Sequence, residues 1–109
     1  MNAKATIAEN GSLSNAINVD GKRIVGIQTP ASWTAADLTF QASFDGTTFN
    51  DVYDEAETEV TVQGAASRYT ALDAVALELS GLPWIKIRSG TTGSPVAQGA
   101  ERVLIVVMV

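Results

Sequence analysis

At 109 residues the chain has room for one domain and one core. It contains no Cys and no His, which removes disulfides, thiolate chemistry, the commonest general base and the commonest zinc ligand together. The net charge is −5, and the stretch 24–67 holds seven acidic residues with no Lys or Arg. No basic stripe is present to neutralise phosphates, so nucleic-acid binding is not expected.

Residues 1–109 read as a single β-sandwich domain, with 1–12 a candidate N-terminal arm. "MNAKATIAENGSLSN" has no apolar run of the secretory kind. From there the patterns run at period two. "LSNAINV" and "RIVGIQ" are predicted strands on either side of an Asp20-Gly21 turn. After Thr29-Pro30, "SWTAAD" at 32–37 predicts a short helical turn capped by Ser32 or Thr34. "LTFQASF" alternates, with Leu38, Phe40, Ala42 and Phe44 on one face and Thr39, Gln41 and Ser43 on the other. Asp45-Gly46 turns the chain, and "TFNDVYD" returns as the partner strand. "EVTV" sends Val60 and Val62 inward, and "VALEL" is expected to do the same with Val75, Leu77 and Leu79. "WIKIR" places Ile85 and Ile87 inside and Trp84, Lys86 and Arg88 outside. "SGTTGSPVAQGA" at 89–100 is the longest loop, expected to be mobile at its tip. Seven or eight short strands without intervening long helices make an all-β, two-sheet antiparallel β-sandwich, with a jelly roll as the expected topology.

The closing strand "RVLIVVMV" is apolar at both parities: Val103, Ile105, Val107 and Val109 on one side, Leu104, Val106 and Met108 on the other. A two-layer sandwich covers one face of each strand. The surplus face therefore calls for a cover, either the N-terminal segment or another subunit. Leu104, Val106 and Met108, with Trp84, Lys86 and Arg88, are the residues expected at a contact between copies. The seven apolar residues of this strand, 103–109, fall far short of a membrane span, and no membrane association is expected.

The run Asp51, Asp54, Glu55, Glu57 and Glu59 concentrates carboxylates within nine positions. Its spacing does not match a calcium loop, and no metal or other cofactor is expected. The bland reading is a solvated strand end; the sharper one is an acidic docking surface for a basic partner. No Gly-x-Ser-x-Gly elbow, phosphate loop or triad can be assembled, so no catalytic residue is named and an enzyme is not expected. Trp33 and Trp84 are either sugar-stacking platforms or structural rings, Trp33 plugging one end of the sandwich and Trp84 covering the outer sheet.

The hairpin Ser43-x-Asp45-Gly46-x-x-Phe49, followed by Trp84-Ile-Lys-Ile-Arg88, resembles the discoidin-like, galactose-binding-like jelly rolls. "PWIKIRSG" and the tail after it also resemble small virion proteins of tailed bacteriophages, of the capsid decoration or cement type. That resemblance implies a non-enzymatic jelly roll made in the host bacterial cytoplasm and carried on the capsid surface. It would be a homo-oligomer, commonly a trimer, bridging major capsid protein subunits to stabilise the head. The alternative it leaves is a small carbohydrate-binding or tail receptor-binding module of a phage.

Overall fold

Period-two runs become strands, and those of six residues or more send apolar side chains into a shared core, with one parity facing inward except where β3 is irregular. The computed structural model describes all 109 residues. Eight strands form: β1 (Asn2–Ile7), β2 (Ile17–Asn18), β3 (Ile24–Thr29), β4 (Leu38–Ser43), β5 (Asn50–Asp51), β6 (Arg68–Ala71), β7 (Trp84–Ser89) and β8 (Arg102–Met108). One sheet runs β1-β8-β3-β6 and the other β2-β7-β4-β5, with antiparallel pairing throughout. The pairs 1–8, 2–7, 3–6 and 4–5 are nested. A long hairpin with its tip at β4–β5 has been rolled so that successive pairs fall in opposite sheets, which is the jelly-roll order.

Between the sheets lies a core of 17 buried apolar side chains, with Phe40, Ile85, Leu104 and Val106 sealed at 0% exposure. The folded surface is 5714 Å², against the roughly 5,800 Å² that the area scaling gives for this mass.

Four expectations need correction. Residues 1–12 do not form a loose arm, because β1 is an edge strand paired along β8 and buries Ala5 and Ile7 completely. The 32–37 segment forms no helical turn. "VALEL" is a short helix, α1 (Ala74–Glu78), which leaves Leu77 at 77% exposure while Leu79 enters the core. Phe44 does not join Leu38 and Phe40 inside; the turn that begins at Ser43 carries it out to 79% exposure. Val60 and Val62 do point inward, on an extended segment held to β4 by reciprocal backbone bonds between Leu38 and Val62.

One buried side chain helps fix the segment after β7 to the sandwich. Gln98 is fully buried, and its amide is used at both ends. Its Oε1 accepts from the Thr34 N–H (2.9 Å) and Arg102 Nε (3.1 Å), while Nε2 donates to the Thr34 carbonyl (3.0 Å) and Ser89 Oγ (2.7 Å). A satisfied buried amide of this kind specifies one arrangement, because any other strands polar atoms away from water.

Candidate interaction surfaces

The outer face of the β2-β7-β4-β5 sheet carries Trp84, Lys86 and Arg88 in a row, opposite Ser43, Gln41 and Thr39. At its upper end the Ser43-x-Asp45-Gly46 motif folds as a self-bonded turn. Ser43 Oγ accepts from the N–H groups of Asp45 and Gly46 and donates to Asp45 Oδ1, which in turn accepts from the N–H groups of Thr47 and Thr48 at 2.8 Å each. Gly46 sits at φ +79 with the Trp84 ring packed beside it, so Trp84 is half-buried against the turn it braces. Lys86 Nζ lies 4.4 Å from the centre of the Phe49 ring, a cation–π contact. The motif is thus a device for closing the β4–β5 connection.

Those backbone donors hold the Asp45 carboxyl down to about 2 from 3.8. A carboxyl depressed in the fold adds stability above its unfolded pKa and surrenders it as pH falls through the folded one. Asp45→Asn is therefore expected to be less stable than the parent at neutral pH. That deficit should shrink as pH drops from 3.8 towards about 2. Urea midpoints of the two proteins across this range test it, and a deficit independent of pH would contradict the assignment.

At the lower end Arg88 faces outward from the sandwich and is nevertheless buried, at 7% exposure. The acidic segment folds over it. Nη2 meets Asp51 Oδ1 at 2.6 Å, and Nη1 meets Glu59 Oε2 at 3.2 Å and Thr39 Oγ1 at 3.3 Å. Thr92 closes the far side, its Oγ1 donating to Asp51 Oδ2 (2.7 Å) and its N–H to Glu59. Hydrogen bonding from Arg88, then from Thr92, holds the Asp51 carboxyl below its ordinary value. The expected acidic docking surface is accordingly divided. Asp51 and Glu59 are spent on Arg88, and Asp54 Oδ1 accepts from the N–H groups of Ala56 and Thr58 inside its own loop. Glu55 and Glu57 remain exposed.

The other sheet presents a different outer face. Leu104, Val106 and Met108, expected at a contact between copies, instead point into the core at 0%, 0% and 3% exposure. Ala5 stands opposite Leu104, and Ile27 opposite Val106. An irregularity between Ile24 and Gly26 keeps Ile24 inside, level with Met108. The outward parity of β8 is Val103, Ile105 and Val107, each half-buried, flanked by Thr6, Lys4 and Asn2 on β1 and by Gln28 and Gly26 on β3. The Tyr69 ring of β6 lies over Gly26, occupying the space a Cβ would need. Lys4 is the charged member of this central strip. β1 lies beside β8 in the same sheet, so the N-terminal segment does not cover the strip from above.

No family model and no curated protein matches the sequence. Among solved structures, the chain is similar to the crystal structure of the SPBc2 prophage-derived protein YomS. The TM-score is 0.55 and the identity 14%, over 100% of this chain and 96% of that one. At that identity the likeness is one of fold.

Neither tryptophan forms a free platform. Trp33 is buried at 9%, its indole N–H donating to the Ala36 carbonyl at 3.3 Å, and it closes part of the core. The exposed rings are Phe44, Tyr53 and Tyr69. Sequence reasoning missed Gln98, for which a loop of Gly, Ser and Thr gives no signal. It also missed Ile105 as the outward residue, because both parities of β8 are equally apolar.

Proposed function

We propose that the chain is a structural virion protein of a tailed phage, a capsid decoration or cement protein that self-associates and bridges major capsid subunits. The observation that carries this reading is the outer face of the β1-β8-β3-β6 sheet. Strand spacing of about 4.8 Å across four strands and about 20 Å of strand length give a face of roughly 400 Å². Down its middle runs the half-buried aliphatic row Val103, Ile105 and Val107, near the exposed Tyr69, with Lys4 the one charge on the strip. An apolar row with an aromatic and few charges is the composition of an interface centre. The jelly-roll likeness to a protein described as prophage-derived supports the phage setting. The action is adhesive: contact area added between neighbours opposes forces that pull a shell apart.

Light scattering at micromolar concentration tests the association. The parent chain is expected to be an oligomer, with a trimer the expected copy number. Ile105→Glu is expected to be monomeric with an almost unchanged melting temperature, because Ile105 lies outside the sealed core. Co-sedimentation with assembled shells of a phage major capsid protein tests the bridging role. A monomeric parent, or a parent that ignores those shells, overturns the reading.

A further inference from the structure

A groove of about 490 Å³ opens where the β4–β5 turn faces α1 and the turn that follows it. That size lies within the range of binding clefts. Phe44, Tyr53 and Leu82 give it apolar surface, and Asp45, Asn50 and Glu78 stand among them. Phe44 at 79% and Tyr53 at 50% exposure are two rings held in water at one opening. Leaving such area exposed forgoes stabilisation that burial would give, and the Ser43–Asp45 turn fixes Phe44 there.

The charge of the lining decides what would cover the rings. Asp45 stays ionised with its Oδ2 free of protein partners, and Glu78 belongs to none of the three ion pairs. Asp51 also lines the groove, but Arg88 already offsets it. No Lys or Arg lines the groove. Two aromatic faces beside two carboxylates that no cation pairs suit a guanidinium or ammonium group, which stacks on a ring while donating to an acid.

We infer that this groove docks a basic segment of a protein partner through an Arg or Lys side chain set between Phe44, Tyr53 and Glu78. The inference rests on the docking half of the proposed function and names the chemistry of the shell-side partner. A neutral glycan would use the rings and leave both carboxylates unneutralised.

Fluorescence anisotropy with dye-labelled hexa-arginine, hexaglutamate and a neutral hexasaccharide tests it. The measurement is made on the Ile105→Glu chain as well as the parent, so that a failure of self-association leaves this result readable. Hexa-arginine is expected to bind, about tenfold more weakly to Phe44→Ser and several-fold more weakly to Glu78→Gln, while hexaglutamate is not bound. Both substitutions sit at solvent-exposed positions and leave the core intact. Hexa-arginine binding that both variants leave unchanged reflects general attraction to an acidic chain and overturns the inference. So does hexasaccharide binding that Phe44→Ser abolishes, or no hexa-arginine binding at all.

Discussion

Arg88→Met is expected to destabilise the fold by about 3 kcal/mol, the cost of stranding the charged partners of a buried ion pair. The guanidinium links β7 to β4 through Thr39, to β5 through Asp51 and to the following loop through Glu59. Without it, two carboxylates whose side chains are only 28% and 13% exposed face one another over an apolar stub. Arg88→Lys is expected to recover only part of the loss, since one ammonium cannot reproduce a fork that reaches both acids and a hydroxyl. Adding Asp51→Asn and Glu59→Gln to Arg88→Met should restore much of the stability, because neutral amides need no counter-charge. Urea unfolding of the four proteins checks the series, and an Arg88→Met loss below about 1 kcal/mol would show that the cluster is solvated rather than closed.

Gly90→Val is expected to cost roughly 3–4 kcal/mol through backbone strain and overpacking together. Gly90 directly follows β7 at φ +92, a conformation side chains rarely adopt. A Cβ there would lie 2.6 Å from the Ser94 carbonyl oxygen, 2.7 Å from the Val96 nitrogen and 2.9 Å from Pro95 Cα. These are backbone atoms and cannot swing aside. Relief by moving the strand end is opposed by two bonds of 2.7 Å, from the Gly90 N–H to the Asp37 carbonyl and from Thr39 Oγ1 to the Gly90 carbonyl. Gly93→Ala, three residues on with open space around it, is the control and should stay within about 0.5 kcal/mol. Comparable losses at both positions would mean that the loop tolerates neither change for reasons other than this close approach.

The parts of the fold legible in the sequence are those where alternation and turn chemistry agree. Leu38 and Phe40, bounded by Asp45-Gly46, and Ile85 and Ile87, bounded by Gly90, lie where period two puts them. The eight-strand sandwich follows from such segments. Alternation fails where it is degenerate. In β8 either parity could face inward, and the choice falls to register with Ala5 and Ile27, which lies about a hundred and about eighty residues away in the chain. Val75 and Leu79 fit a helix as well as a strand, and five residues are too few to separate the two periods. The surfaces were less legible than the core. Alternation sends Arg88 outward correctly, but nothing local says that the 51–59 acids fold back over it. Two residues expected on a docking surface are therefore internal partners. Phe44 marks the reverse case, an apolar residue at a core parity that a turn turns outward.

The nested pairing of the strands also favours one order of assembly. Only β4 and β5 meet across a short span of chain; β1 and β8 close a loop of nearly the entire polypeptide, with the Met1 carbonyl accepting from the Met108 N–H at 2.8 Å. Each outer pair forms at a smaller entropic penalty once the inner pair has shortened its separation, so the roll zips outward from its hairpin tip, slowly for a chain of this size. The strand bearing Ile105 is the last to be docked. Until it docks, both of its apolar faces stand open to water, so the unfinished molecule is the form most prone to clump.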